Sequence, residues 1–290
     1  MAPIAVTHFS DPACPWAYSA SPHFAALRWR YGDQLSWRLV LIVLTEHARQ
    51  YVERGYTPTR QALTYRRFRA RGMPFSTAQR ERVPSTATAC RAVIATRLVQ
   101  PDREWEAFRA LQFAWFTTTL VLDEPPAVAQ ALRLVGGLDV ERVMELLDDP
   151  RVNAAYDADR AQSRTAAGGP TEFQGKAADT DGAVRFTAPS LVFRAGDRVL
   201  EAGGFQSLEA YDVCIANLDP TLDRRGAPDD VVEVLAALPE GLTTREVAAC
   251  VAPDKTAPDD DAAEERLIHA VGSGRATRES LGSGALWRAC

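Results

Sequence analysis

The sequence predicts an α/β protein in which a helical insertion divides a sheet and a small C-terminal module follows. Two short apolar segments, residues 4–9 and 35–44, read as strands near the N-terminus, and strand patterns return only at 190–193 and 198–200. Residues 45–169 instead carry apolar residues at intervals of three to four, the period of amphipathic helices. The sheet is therefore predicted to be built from two distant parts of the chain.

The N-terminal elements follow from local residue preferences. Residues 4–9 are rich in apolar and β-branched side chains and predict a strand. A turn-rich loop leads to Cys14 and Pro15, and proline is favoured at the first position of a helix. A helical pattern then covers residues 16–31. Residues 35–44 are almost continuously apolar, which is typical of a strand buried on both faces of a sheet.

Beyond these elements the chain is mostly helical until the strands return. Proline or glycine occupies some of the breaks between the predicted helices. The turn at residues 195–197 predicts that the two late strands form a hairpin, and a helix is expected over 207–218. The predicted helices of the insertion cover residues 86–99, 103–116, 125–135, 140–147 and 152–166.

Composition changes after residue 221. Residues 222–290 hold 8 basic and 13 acidic side chains, whereas the preceding residues hold 25 of each. Helices near 229–238 and 262–271, a capped helix between them and a hairpin over 275–288 resemble a winged-helix module. Its third helix begins in an acidic run at 259–261, the wrong sign for approaching phosphates. We therefore expect this module to pack or dock against protein and not to bind DNA.

The composition excludes several classes of function. A net charge of −5 argues against a general nucleic-acid binder, and no run approaches the roughly 18 apolar residues of a membrane span. The five cysteines are too far apart in sequence to pair at the spacing of zinc ligands, so no metal is expected. The lack of a visible signal peptide predicts a cytoplasmic location, and because that compartment is reducing and the number of cysteines is odd, no disulfide framework is expected.

Cys14 is the strongest candidate for chemistry. It follows a strand and precedes Pro15, so it is expected at or beside the N-cap of a helix. Unpaired amides and the positive end of the helix dipole stabilise an anion there. We therefore predict that the pKa of Cys14 is lowered and that its thiolate is the reactive form. The alternative is a small buried loop residue.

The segment around Cys14 resembles the active site of a known family. Residues 9–18, FSDPACPWAY, resemble that of thioredoxin-fold oxidoreductases related to DsbA. The resemblance is strongest to the FrnE-like branch, with 2-hydroxychromene-2-carboxylate isomerases and kappa-class glutathione transferases. It extends over about residues 4–218. It implies a thioredoxin-like fold with an inserted all-helical domain, followed here by the winged-helix-like module.

The resemblance also implies domain limits and site residues. The thioredoxin-like domain would comprise residues 1–44 and 186–221, the insertion residues 45–185, and the C-terminal module residues 222–290. Pro189 matches the family's cis-proline, which faces the cysteine, and the backbone of Ala188 would pair with an extended thiol substrate. An ordinary trans proline is the alternative. The residues expected to contact a thiol co-substrate are Pro15, Trp16, Ala17, Ala188 and Pro189.

One position departs from the family pattern. The second cysteine of the motif is Ala17 in this chain, so Cys14 has no resolving partner within its motif. Three functions remain open: exchange through Cys14 alone with a small thiol, catalysis by a bound thiol cofactor as in the isomerase and transferase relatives, or binding without catalysis. Cys90 and Cys214 lie among apolar residues and are interpreted as core.

The expected enzyme is thus a thiol-dependent oxidoreductase of the DsbA family. Its co-substrate would be a low-molecular-weight thiol of the glutathione or mycothiol type, with no tightly bound cofactor. A small hydrophobic substrate or a thiol protein would be its partner, with no nucleic acid or membrane, and a homodimer is left open. His8 is interpreted as a packed strand residue. An arginine-rich segment, residues 60–82, is interpreted as a solvated face, with an anion-attracting rim as one alternative.

Overall fold

The protein is described by a computed structural model of its 290 residues, which covers residues 3–179 and 182–290. Four strands form the central mixed sheet: β1 (Ile4–Ser10), β2 (Leu35–Leu41), β5 (Ser190–Ala195) and β6 (Arg198–Ala202). Their order across the sheet is β2-β1-β5-β6. β1 runs parallel to β2 and antiparallel to β5, and β5 and β6 form the expected hairpin.

Strand β2 is shorter than predicted, because it ends at Leu41 and not at residue 44. Val43 has a left-handed backbone with φ of 56°, which turns the chain out of the sheet. The amide of Leu44 then donates a hydrogen bond of 2.9 Å to the carboxylate of Asp11. An apolar run alone does not show where a strand ends, since the same residues continue into a buried turn.

Helices α1 (Pro15–Tyr31) and α10 (Leu208–Leu218) pack on one face of the sheet. Their shared apolar cluster includes Ile4, Phe24 and Tyr211. Helix α1 begins at Pro15, one residue before the predicted start, and Cys14 is its N-cap. The first helix thus begins immediately after the loop that leaves the central strand.

The insertion is mostly helical and has its own apolar core. Among the described residues all five predicted helices are present, and two further α-helices and two 3-10 helices lie in the region predicted to be helical without assigned bounds, whereas one short helix and one pair of two-residue strands were not predicted. None of the helices in residues 3–179 and 182–290 has both the length and the apolar character needed to cross a bilayer. The elements are α2 (Ala48–Glu53), α3 (Pro58–Phe68), α4 (Ala87–Val99), α5 (Glu104–Thr117), α6 (Pro125–Leu132), α7 (Val140–Glu145), α8 (Pro150–Ser163), α9 (Pro170–Phe173), β3 (Ala177–Ala178) and β4 (Arg185–Phe186).

The C-terminal residues form helices and a small antiparallel sheet in the order of a winged helix. Its strands are arranged β7-β9-β8. Its apolar core contains the fully buried Trp287 and also Trp29 of α1, so the module is packed onto the first helix. The domain limits stay a prediction. The elements are α11 (Val231–Ala237), β7 (Leu242–Thr243), α12 (Thr244–Val251), α13 (Asp260–Gly272), β8 (Ala276–Leu281) and β9 (Gly284–Ala289).

A buried ion pair joins the insertion to the C-terminal module. The guanidinium of Arg109 on α5 donates two hydrogen bonds, of 2.6 and 3.0 Å, to the carboxylate of Glu246 on α12. Ser21 of α1 also bonds to this carboxylate. Burial opposes ionisation of Glu246, yet Arg109 holds the pKa of that carboxyl below its usual value. The pair therefore links three parts of the chain.

Removing one partner of this pair should be far more harmful than removing both. Arg109→Met leaves the Glu246 carboxylate buried without its counter-charge, and we expect a loss of about 3–5 kcal/mol in the free energy of unfolding. Arg109→Met with Glu246→Leu should recover most of that loss. Urea unfolding of both variants measures the difference. Equal losses in the two variants would show that the ion pair does not act as described.

Candidate active site around Cys14

The loop between β1 and α1 places Cys14 at the start of the helix. Cys14 has extended backbone angles, with φ of −83° and ψ of 112°, and Pro15 takes the first helical position. The Asp11 carboxylate accepts hydrogen bonds of 2.8 Å from the amide of Ala13 and 2.9 Å from that of Leu44. The Cys14 amide donates to the Asp11 carbonyl over 3.1 Å. Asp11 therefore fixes the shape of the loop that carries the cysteine.

The cysteine contacts the backbone that leads into the returning half of the sheet. Its thiol donates a hydrogen bond of 3.1 Å to the carbonyl oxygen of Ala188, 174 residues further along the chain. The peptide bond between Ala188 and Pro189 is cis. Directly after Pro189, Ser190 of β5 pairs with Phe9 of β1. The antiparallel pairing of the two strands thus brings Cys14, Ala188 and Pro189 together.

The predicted lowering of the Cys14 pKa is wrong for this arrangement. The side chain is only 6% exposed, and burial in an apolar environment raises its pKa to about 12. The amides of Ala17 and Trp16 act in the opposite direction but do not compensate, while the charge of Asp11 adds to the rise. The thiol is therefore protonated, as its role as a hydrogen-bond donor requires. The surrounding apolar residues are Phe9, Ala17, Val40, Ile42, Ala166, Phe186 and Ala188.

The residues that follow Cys14 differ in their exposure. Ala17, at the position of the family's second cysteine, is buried in the apolar cluster around Cys14. Pro15 is half-buried, whereas Trp16 is 43% exposed. The ring of Trp16 lies edge-to-face against Phe68 and Phe205, with centroid distances of 5.0 and 5.7 Å. Trp16 is thus the exposed apolar surface next to the cysteine.

A guanidinium completes this surface. Arg71 lies 4.4 Å from the ring centre of Trp16 and 4.7 Å from that of Phe205, within the range of cation–π contacts. Arg71 belongs to the arginine-rich segment 60–82, and nothing in the sequence distinguishes it from the other arginines there. Others in that segment have different roles: Arg80 is buried and binds backbone carbonyls, and Arg82 pairs with Asp123. We call Trp16, Phe68, Arg71 and Phe205 the rim cluster.

The other cysteines show no sign of resolving Cys14. All five are free. Cys90 is fully buried, as expected, and its sulfur lies 3.7 Å from the Asp11 carboxylate, on the insertion side of the loop. Cys214 is half-buried on α10 against the sheet cluster. Within the part of the chain that the structure describes, no three His, Cys, Asp or Glu side chains are grouped as a metal site would need.

Comparison with protein families decides the assignment. A family model described as the DSBA-like thioredoxin domain matches residues 5–188. The chain belongs to this family. The match includes β1, the Cys14 loop and the whole insertion, and it ends at Ala188. This DSBA-like chain is thereby assigned to a family of thiol oxidoreductases, and the predictions of its family and fold class are confirmed. Residues 189–290 lie outside the match.

Solved structures agree on the fold of this DSBA-like protein. A candidate protein disulfide isomerase from Nitrosomonas europaea has a TM-score of 0.56 and 16% identity, covering 74% of this chain and 97% of that one. A probable DsbA oxidoreductase from Streptomyces coelicolor has a TM-score of 0.56 and 18% identity, covering 75% and 91%. The cytosolic disulfide reductase DsbM from Pseudomonas aeruginosa has a TM-score of 0.50 and 18% identity, covering 75% and 98%. No curated protein matches the chain.

The raised pKa of Cys14 has a direct consequence for its alkylation. The pKa of Cys14 is about 12 in the folded protein and about 8.5 in the unfolded chain, so the folded thiol stays protonated at neutral pH. The contribution of this thiol to the free energy of unfolding is therefore lost as the pH rises above about 8.5. We expect iodoacetamide to modify Cys14 far more slowly in the folded protein than in urea at pH 8. The folded rate should keep rising beyond pH 9. Peptide mapping by mass spectrometry measures this, and a plateau below pH 8 would contradict the burial argument.

Proposed function

We propose that this protein is a thiol–disulfide oxidoreductase that works through Cys14 alone, with a low-molecular-weight thiol of the glutathione or mycothiol type as co-substrate. The observation that carries the proposal is the position of the Cys14 sulfur at the start of α1, 3.1 Å from the Ala188 carbonyl oxygen. An extended disulfide substrate that pairs with this backbone would present its sulfur to Cys14. Pro15, Trp16, Ala17 and Pro189 would line the binding position.

Because Ala17 occupies the position of the family's second cysteine, an external thiol must release the substrate from Cys14. The Cys14 sulfur attacks a disulfide R–S–S–R′ and forms Cys14–S–S–R, while the thiol proton leaves with R′–SH. The small thiol G–SH then attacks the Cys14 mixed disulfide, regenerates the Cys14 thiol and leaves as G–S–S–R. The two steps balance as an exchange, since one disulfide and one thiol enter and one disulfide and one thiol leave; a second G–SH that attacks G–S–S–R would complete the reduction to R–SH and G–S–S–G. No second protein cysteine is needed.

Activation of Cys14 requires that its apolar cover moves. Ala166 and Phe186, which pack in the cluster around Cys14, belong to the segment between α8 and β5. When substrate displaces this cover, the desolvation that raises the pKa is relieved. The amides of Ala17 and Trp16 and the charge of Arg185 then act to lower it. The thiol would be stored in protonated form and become reactive upon binding.

The rim cluster supports a small thiol that carries a carboxylate. Arg71 presents its guanidinium beside Trp16, two residues from the cysteine. A carboxylate can bind this cation, and the apolar part of a substrate can lie on the exposed ring of Trp16. A thiol protein or a small hydrophobic disulfide would meet the same surface. We also propose a cytoplasmic location, where small thiols keep cysteines such as these five reduced.

One observation favours a second function. The Cys14 thiol already acts as a neutral hydrogen-bond donor, to the carbonyl of Ala188. In a transferase-like or isomerase enzyme, the same S–H would donate to the sulfur of a bound cofactor thiol, which would itself attack the substrate. Cys14 would then position the cofactor without forming a covalent bond.

Turnover of a model disulfide separates these functions. With glutathione and bis(2-hydroxyethyl) disulfide, Cys14→Ser should lower the rate at least about 100-fold, since serine cannot form a mixed disulfide. Cys214→Ser, on α10, is the matched control and should leave the rate unchanged. Substantial activity in Cys14→Ser would favour the cofactor-thiol enzyme. If the wild-type protein does not turn over the disulfide, the remaining function is binding without catalysis at a decayed active site.

The role of Arg71 gives a separate kinetic test. Arg71→Gln removes the positive charge of the rim cluster, so we expect KM for glutathione to rise about 3–10-fold with little change in kcat. Arg67→Gln changes an exposed arginine of the same segment and serves as the control. Equal KM values in both variants would contradict a role for Arg71 in binding the small thiol.

A further inference from the structure

A cavity of about 200 Å³ lies between the sheet, α1 and α5, away from the Cys14 site. Phe24 in its wall comes nine residues after Pro15, which at 1.5 Å per residue places it about 13 Å along the helix from the cysteine end. The cavity therefore belongs to the junction of sheet and insertion. Its lining residues are His8, Phe24, Arg28, Trp37, Arg38, Leu39, Glu104 and Trp105.

Three nitrogen atoms of this lining, on His8 and Trp37, are buried without a hydrogen-bond partner among the described residues. His8 is 2% exposed, and neither of its ring nitrogens forms a hydrogen bond; the same holds for the indole nitrogen of Trp37. Burial lowers the pKa of His8 to about 3, so its ring is neutral, with one donor and one acceptor. Buried polar groups are nearly always satisfied in folded proteins. These nitrogens therefore lack the partners that a polar group reaching this wall of the cavity would supply.

The apolar part of the cavity is aromatic. The imidazole of His8 lies 4.7 Å from the ring centre of Phe24, 6.0 Å from Trp105 and 6.5 Å from Trp37. Offset and edge-to-face contacts of this kind favour a flat ring over a branched aliphatic group. The walls thus select for a planar apolar ligand.

One guanidinium of the cavity lining has N–H donors that no carboxylate of the described residues binds. Arg28 is already paired with Glu240, and Glu104 is 2.7 Å from the Nε of Arg97. Arg38 is exposed and makes neither a hydrogen bond nor an ion pair within residues 3–179 and 182–290. Its charge opposes the rise that burial causes in the pKa of Glu104, but its N–H donors are unused and suit a carboxylate. The carboxylate of Glu104 would oppose a ligand with several negative charges, such as a nucleotide.

We propose that this cavity binds a small aromatic carboxylate. Its ring would lie among Phe24, Trp37 and Trp105, and its carboxylate would bind Arg38. A small shift of the side chains next to His8 would let a polar substituent of the ligand reach its imidazole. The cavity volume of about 200 Å³ can hold a ligand with a single aromatic ring or with two fused rings. This binding site is separate from the thiol chemistry proposed for Cys14 and does not depend on it.

Benzoate is the probe, titrated into the full-length protein. Calorimetry gives the affinity, and the indole N–H signal of Trp37, assigned from Trp37→Phe, reports the location by NMR. We expect saturable binding and a shift of the Trp37 signal. Benzamide, which lacks the charge, and cyclohexanecarboxylate, which lacks the flat ring, should each bind at least about tenfold more weakly.

Variants test the assignment of the site. Arg38→Gln is an exposed change that should not disturb folding, and it should weaken benzoate at least about tenfold, whereas Arg67→Gln should not. Cys14→Ser should bind benzoate as the wild type does. Absence of saturable binding would overturn the proposal. So would an ordered water bound to His8 or Trp37 that benzoate does not displace, because that water would already satisfy the buried nitrogens. Binding that depends on Cys14 and not on Arg38 would also overturn it, because the ligand would then occupy the thiol site.

Discussion

The contact between the Cys14 sulfur and the Ala188 carbonyl is the constraint on which the rest of the site depends. It joins two points 174 residues apart, and it exists because β1 and β5 pair antiparallel in the centre of the sheet. A thiol is a weak donor, so this hydrogen bond contributes little energy by itself. Its importance is geometric. The returning chain brings to the helix N-terminus both the backbone that could hold a substrate and the apolar side chains that bury the sulfur.

Two opposing effects act on that sulfur, and their magnitudes decide its resting state. The helix amides and Arg185 favour a thiolate, but burial at 6% exposure dominates and keeps the thiol protonated. A helix N-terminus is therefore not sufficient to activate a cysteine when solvent is excluded. Under the proposed function, Cys14 would attack a disulfide only after Phe186 and Ala166, which pack around it, had moved away. Substrate binding and activation of the nucleophile would then be one event.

Local sequence signals predicted much of this fold because each depends on few residues. The Cys14–Pro15 pair set the start of α1, and the turn at 195–197 set the late hairpin. The protonation state of Cys14 could not be predicted, because it depends on Phe186, which is distant in sequence and packs by tertiary contact. The rim cluster could not be predicted from the sequence for the same reason, because Trp16, Arg71 and Phe205 come from three separate segments of the chain. His8 was correctly interpreted as buried, but its lack of partners is visible only in three dimensions.

The proposed function requires that the Cys14 sulfur carries a mixed disulfide without a second protein cysteine. Intact-mass measurement of protein purified without reductant, followed by peptide mapping, tests it most directly. We expect an adduct of one small thiol on Cys14, which reductant removes and which Ala17→Cys lowers by supplying a resolving thiol. Adducts confined to the exposed Cys290, with Cys14 unmodified even after incubation with glutathione disulfide, would contradict it.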